Sequence, residues 1–493
     1  MSDDYACNHR ININKYEDGL RKYPLYPLPT WVYESVVYEI FPDRFQVGIE
    51  LNKKIKFYKD GTLKNWNEIP DATGDRRQGK IFFGGDLIGV LNRLDYIEEL
   101  GANTIYLTPI FKSPSNHKYD TVDYFKIDPQ FGGNSSLKKL LQKLKSKGMR
   151  LILDGVFNHV SSEHPWFKKA VKGNRNFISK FSFSNDGHRG WWGIRSLPEL
   201  NLEENLVREH ITNVITYYLK LGIHGWRLDC GQDLGPVNNA YITSVVKAFS
   251  EDKYVVSELW TYPNRWNMVD GVMNYHFREL TVNYLLNVLT DLGLKLEKMY
   301  RESPNIYGSW NMLDSHDTER LANTIPDKLL RKLAIILQFT FPGVPVIYYG
   351  TEIGMEGGKD PDCRRPMVWD ISKWDTELFE FYKSIIRLRK TETALKIGTF
   401  ELLNNEPLVF LRKCPYQLDN LIVAINKGKE KSIAVPINDG RILDRTVFVD
   451  LFTKEKFKVI SGTLKFTIRE KGYRILKPLN EIVNGYNQYK RIF

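Results

Sequence analysis

The stretch "GWRLDC", Gly225 to Cys230, sets an arginine and an aspartate two residues apart in an otherwise apolar run. A short apolar run with a glycine near each end reads as a buried strand. Period-two alternation then puts Arg227 and Asp229 on the same side of it. Other apolar runs end in similar chemistry: "DGVFNH" supplies Asp154, Asn158 and His159, "VVSELW" supplies Glu258, and "MLDSHDTER" supplies Asp314, His316 and Asp317. A single strand-end acid is equally a helix cap or a structural ion pair. Three carboxylates (Asp229, Glu258, Asp317) with an arginine and two histidines ask for more, because acids buried together are costly unless they are used or paired. Arg227 is expected to pair with Asp229 and keep it ionised, while a crowded neighbouring acid has its pKa raised. One ionised carboxylate beside one protonated carboxyl is the equipment of a retaining glycosidase. Aromatic residues fit a sugar: Tyr119, Trp191, Trp192, Trp260 and Trp266 fall in loops after the strands, and flat rings stack on pyranose faces. Trp191 and Trp192 fit the core of a small subdomain equally well.

To bring these residues together, the strands carrying them must converge. Eight apolar runs read as strands: 36–40, 104–110, 150–158, 224–230, 254–260, 270–276, 310–315 and 344–350. Helical patterns such as "LIGVLNRLDYIEELGA" and "SLKKLLQKLKSKGM" lie between them. Strand–helix alternation of this length predicts parallel βα units, and eight of them close a (β/α)₈ barrel, whose active sites lie at the C-terminal strand ends. The predicted organisation is an N-terminal arm over residues 1–30, a barrel over 31–390, an inserted domain at about 160–200 after the third strand, and a C-terminal antiparallel β-domain over 391–493.

The chain has 493 residues, 42% hydrophobic, enough for a large core. It contains no run of eighteen apolar residues and no secretory leader, so no membrane role and a cytoplasmic setting are expected. The net charge of +11 raises the question of nucleic acid. The richest basic run, Leu137 to Gly148, reads instead as an amphipathic helix with a solvated face, and no nucleic-acid module accompanies it. Cys7, Cys230, Cys363 and Cys414 lack CxxC spacing, which predicts free thiols and no zinc site.

"DGVFNH", "GWRLDC", "SELW" and "LDSHDTER" resemble, in order, the hallmark regions of glycoside hydrolase family 13, the α-amylase family. "LPELN" resembles a fifth region, and "VVYEIFPDRF", "FFGGDLIGV" and "HKYDTVDYFKIDPQFGG" extend the match. "FFGGDL", "DGVMNY" and "CRRPMVW" resemble the neopullulanase, cyclomaltodextrinase and maltogenic amylase group. The resemblance implies that Asp229 is the nucleophile, Glu258 the general acid/base and Asp317 the third acid. It further implies that Arg227 orients the nucleophile and that His159 and His316 bind the sugar. Tyr119 would stack beneath that sugar with His117 close by, and Asp360 and Arg364 would form a charged pair further out. The implied activity is hydrolysis of α-1,4 bonds in maltooligosaccharides, cyclodextrins or pullulan- and starch-type glucans, with transglycosylation. An α-1,6-acting or transferring enzyme shares the same motifs, and a non-catalytic sugar-binding homologue is the alternative of another class. Where many amylases carry a Lys-His pair after the nucleophile, this chain has "GQD". No cofactor is therefore expected to be required, although Asn158 and Glu199 offer oxygens of the kind calcium takes. In that group a β-domain of about a hundred residues precedes the barrel and helps form a dimer. About thirty residues precede it here, so the resemblance carries over no oligomeric state.

Overall fold

The computed structural model describes residues 27–70, 78–184, 187–479, 482–483 and 486–487. Residues 1–26 of the expected arm, Cys7 among them, lie outside the described residues. Eight parallel strands close into the expected barrel: β1 Val37–Ile40, β2 Thr104–Leu107, β3 Arg150–Gly155, β4 Gly225–Leu228, β5 Tyr254–Leu259, β6 Gly271–Asn274, β7 Trp310–Met312 and β8 Val344–Tyr348. Each strand pairs with its neighbours in sequence, and β8 closes on β1. Helices cover the outside: α1 Leu87–Asn92, α2 Leu94–Leu100, α3 Gly133–Ser146, α4 Asn205–Leu221, α5 Gly231–Phe249, α6 Tyr275–Leu285, α7 Leu292–Glu302, α8 Lys328–Thr340 and α9 Thr376–Thr391. The lysine-rich run behaves as its periodicity predicts, since α3 buries Leu137, Leu140 and Leu144. One unit departs from strict alternation. Residues 260–270, between β5 and β6, hold no helix. Pro263 interrupts this loop, and its last residue, Asp270, is tied back to β5 by the amide of Val255 at 2.8 Å.

The barrel interior is layered. Val37, Ile152, Val256, Met273, Trp310, Val344 and Val346 form an apolar lower core, with Trp31 packed against it from the chain ahead of β1. At the C-terminal end the inward positions are charged and buried: Glu39, Asp154, Arg227 and Glu258. After β3, residues 156–204 form the inserted region, with helices Pro165–Ala170 and Arg175–Ile178. It returns on itself through isolated bridges, His159 to Glu199 and Gly190 to Pro198 among them.

Beyond α9 a short helix, Thr393–Ile397, leads to an antiparallel sheet. Its strands are β9 Thr399–Asn404, β10 Leu408–Lys413, β11 Leu421–Asn426, β12 Lys431–Pro436, β13 Val447–Asp450, β14 Lys456–Ile460, β15 Thr463–Ile468 and β16 Gly472–Pro478, in the order β9-β10-β11-β16-β13-β14-β15-β12. A separate core of Val409, Ile422, Val435, Phe448, Leu464 and Leu476 fills it. Two buried arginines tie the barrel to the short helix and to the sheet. Arg389 of α9 donates to the carbonyls of Gly343 (2.7 Å) and Leu395 (2.8 Å), and Arg412 of β10 donates to those of Gly398 (2.7 Å) and Thr340.

Candidate active site

Strand register sets the centre. Arg227 of β4 pairs across to Asp154 of β3, and Leu228 pairs with Ser257 of β5. The next residues, Asp229 and Glu258, therefore stand level on neighbouring strands. Arg227 is fully buried among three carboxylates. Its Nη1 donates to Asp229 Oδ1 at 2.8 Å and to both oxygens of Asp154 at 3.0 Å, and its Nη2 lies 2.9 Å from Glu258 Oε2. Cys230 turns the chain from β4 into α5 in the left-handed region (φ 50°, ψ 45°). That turn aims its amide at Glu258 Oε2 (2.8 Å) and its thiol at Asp229 Oδ2 (3.0 Å). Gly231 follows because nothing larger fits: a Cβ there would lie 1.9 Å from Ser257 Oγ and 2.5 Å from the Glu258 carbonyl. The indole of Trp260 donates to Glu258 Oε1 at 2.8 Å and stacks on Tyr275 with ring centroids 3.7 Å apart.

Three carboxylates around one guanidinium leave an excess of negative charge, and the site answers by holding a proton. Burial drives the Asp229 carboxyl up; Arg227 pulls it down; Glu258 and Asp154 push it up again, to about 8. Asp154 is raised too, by burial acting against Arg227. This differs from the expectation that Arg227 alone keeps Asp229 ionised. The guanidinium is shared, so its field is divided among three acids.

The opposite wall has the reverse balance. His316 is fully buried, with Nδ1 2.6 Å from Glu39 Oε1 and Nε2 2.6 Å from the Tyr119 hydroxyl and 3.0 Å from Asp317 Oδ2. Burial works against its charge, but Asp317 and Glu39 overcome it and lift His316 to about 10. Burial likewise works against charge on Asp317, yet His316 and Arg364 hold it well below the usual carboxylate range. Arg364 bonds Asp317 Oδ1 at 3.0 Å and pairs with Asp360 at 3.1 Å. Tyr119 also donates to Asp154 Oδ2 (3.1 Å), which links the two walls. His117 stacks on Tyr119, and burial with Arg364 and Lys118 nearby lowers it to about 3.

The inserted region supplies the roof. The Leu200 amide donates to the Asn158 carbonyl (2.9 Å) and the Val160 amide to that of Pro198 (3.1 Å), which fixes His159 between them. Trp191 stacks on His159 with centroids 5.4 Å apart, and its indole donates to Asp233 of α5 at 2.9 Å. Burial lowers His159 to about 4, so its imidazole is neutral.

His117, Tyr119, His159, Asp229, Glu258, Asp317, Asp360 and Arg364 line one cleft of about 900 Å³. Arg227 and His316 lie beneath it, fully covered. Trp191, Trp192 and Trp260 line the same cleft, whereas Trp266 packs on the barrel's outer core. Sequence reasoning missed Glu39 and the two contacts of Cys230. A lone acid in "VVYEI" was the available signal for the first; a thiol in an apolar run gave none for the second. Of the oxygens considered for calcium, those of Glu199 face Arg189, with which it is paired. In "GQD", Gln232 accepts from the Trp260 amide and Asp233 from the Trp191 indole.

The sequence pattern of the α-amylase catalytic domain matches residues 39–398, more than half of the chain and all eight strands of the barrel except the first two residues of β1. The chain belongs to the α-amylase family. A cyclomaltodextrinase from a Bacillus species is 36% identical over 454 residues, spanning 84% of this chain and 77% of its own. Neopullulanase 2 from Thermoactinomyces vulgaris is 35% identical over 471 residues, spanning 90% and 78%. Among solved structures, the cyclic α-maltosyl-(1→6)-maltose hydrolase of Arthrobacter globiformis superposes with a TM-score of 0.79 at 28% identity, over 91% of this chain and 99% of that one. As an α-amylase-family protein the chain is a glycosidase, and the family's mechanism retains configuration. No helix among the described residues is long and apolar enough to cross a membrane.

Proposed function

We propose that this glycosidase cleaves α-1,4 bonds of maltooligosaccharides, cyclodextrins or pullulan-type glucans by double displacement, with transfer to a second sugar as a side reaction. Glu258 protonates the glycosidic oxygen, Asp229 attacks the anomeric carbon, and Glu258 then deprotonates the water that releases the sugar. The observation that carries the reading is the joint holding of Asp229 and Glu258: one guanidinium touches both, and one residue, Cys230, donates to both. Level on neighbouring strands and bridged by one guanidinium, the pair suits a nucleophile and its acid. Asp317 is the third acid, gripping sugar hydroxyls from the far wall. Arg227 and His316 are positioning residues, because both are covered and act through Asp229 and Asp317. His117, Tyr119 and His159 contact the sugar, and the Asp360–Arg364 pair bounds it. No cofactor takes part in these steps. The free thiols of Cys230, Cys363 and Cys414 suit a reducing cytoplasm, and a relative 36% identical is an intracellular maltogenic amylase of Bacillus subtilis.

Reducing-sugar release from maltotriose, cyclodextrin and pullulan, with proton NMR of the first product, tests the proposal. The α-anomer should appear before mutarotation. Initial β-anomer would refute the double displacement. Release confined to α-1,6 links, of the kind named in the Arthrobacter substrate, would move the enzyme to the α-1,6-acting class. No release from any of the three would leave a sugar-binding homologue.

A further inference from the structure

The spacing of the cysteines in the sequence offers no metal site, yet the fold assembles one. His159 arrives from the loop after β3, and Asp229 and Cys230 from the end of β4. A ring nitrogen of His159, a carboxylate oxygen of Asp229 and Sγ of Cys230 lie within 4.8 Å of one another. Cys230 already points its thiol at Asp229 Oδ2, 3.0 Å away, while Oδ1 stays with Arg227. His159 is 1% exposed, and neither ring nitrogen has a hydrogen-bond partner. A buried imidazole left without partners beside a thiol and a carboxylate is an open coordination position. All three residues line the cleft, so an ion has a path from solvent.

We propose that His159, Asp229 and Cys230 bind a thiophilic divalent cation, Zn²⁺ or Cd²⁺, and that the bound ion blocks the cleft. Nitrogen, sulfur and one oxygen form a zinc donor set with a fourth position open to water. Bond lengths of ~2.0–2.3 Å ask for donor separations near ~3.5 Å, so binding would draw the three donors, now within 4.8 Å, closer together. In binding, the thiol proton that Sγ now donates to Asp229, and the carboxyl proton where Asp229 holds one, leave to water, and the metal takes their place between sulfur and oxygen. The surplus of carboxylates around Arg227 favours the added positive charge. Calcium and magnesium, which take oxygen ligands, find no such set here. The blocking action rests on the proposed role of Asp229; the binding itself does not.

Titrating metal-stripped enzyme with Cd²⁺ and following thiolate-to-metal charge-transfer absorption in the ultraviolet reads the site without substrate. One equivalent should saturate the band, Zn²⁺ should displace Cd²⁺, and Ca²⁺ should not. Cys230→Val should abolish the band. His159→Gln, which leaves the thiol in place, should weaken Cd²⁺ binding by at least ~10-fold, the loss that even an outer partner's removal brings. In the wild type, Zn²⁺ should inhibit maltotriose hydrolysis competitively, with EDTA restoring the rate. Absence of the band, or a band that survives in Cys230→Val, overturns the proposal. So does unchanged Cd²⁺ affinity in His159→Gln.

Discussion

Burial and two neighbouring carboxylates oppose ionisation of Asp229, and one shared guanidinium favours it. Its folded pKa of about 8 lies above the ~3.9 of an unfolded aspartate, so the folded state keeps a proton that the unfolded chain releases between those values. Stability contributed at this position therefore falls as pH rises through that window. Asn carries no charge in either state. Asp229→Asn should abolish turnover, by loss of the nucleophile, and yet melt at least ~2 °C above the wild type at pH 8, the gap closing toward pH 4. Calorimetry across that range checks this, and equal melting at pH 8 would show that Arg227 does hold the charge. Turnover needs Asp229 ionised as the nucleophile, so kcat/KM of the unliganded enzyme should rise with pH on the acid side, up to the range near pH 8 in which Asp229 gives up its proton. Glu258→Gln should lose most activity on natural glucans and far less in the first step on sugars with activated aryl leaving groups. Equal losses on both would remove Glu258 from the acid role.

At the scale of elements, register decides what side-chain chemistry can happen. Because Leu228 faces Ser257, the two reacting carboxyls emerge level, and the β4–α5 turn is packed against β5 through Gly231. Gly231→Ala would push a methyl into Ser257 Oγ and the Glu258 backbone. It should lower kcat by ~10–100-fold, the effect of an ångström-scale misplacement, while far-ultraviolet circular dichroism stays that of a folded barrel. Steady-state kinetics on maltotriose decides it. Charged residues inside apolar runs make the ends of β3, β4, β5 and β7 legible in the sequence. Glu39 was not legible, because its partner His316 lies 277 residues away and neither segment refers to the other. Nor was the state of Asp229. Period-two alternation showed that Arg227 shared its side, but only the closed barrel shows that Asp154 and Glu258 share Arg227. The helix-free passage after β5 was written in "TYPNRW", whose proline breaks the repeat of strand and helix.

For the molecule as a whole, the arrangement of domains followed from hydrophobic period: helical spacing up to Thr391, alternation beyond it. With Glu199 paired to Arg189 and "GQD" engaged by two tryptophans, the expectation is that the inserted region keeps its place without calcium. EDTA should therefore shift the melting temperature by less than ~2 °C, below the effect of ~1 kcal/mol in a mid-sized domain. A larger drop would reveal a structural ion. The two arginines at the base of the barrel bear on a different question, that of what folds as a unit. The region shared with other α-amylase catalytic domains ends at residue 398, and the Gly398 carbonyl is where Arg412 of the following sheet bonds. The end of the catalytic-domain pattern thus coincides with a seam of cooperativity. Cutting there would strip Thr340 and Gly398 of their donor and bare the Phe341–Phe400 contact, so a chain ending at 398 should fail to accumulate in soluble form. In the intact enzyme, barrel and sheet should melt in a single calorimetric transition.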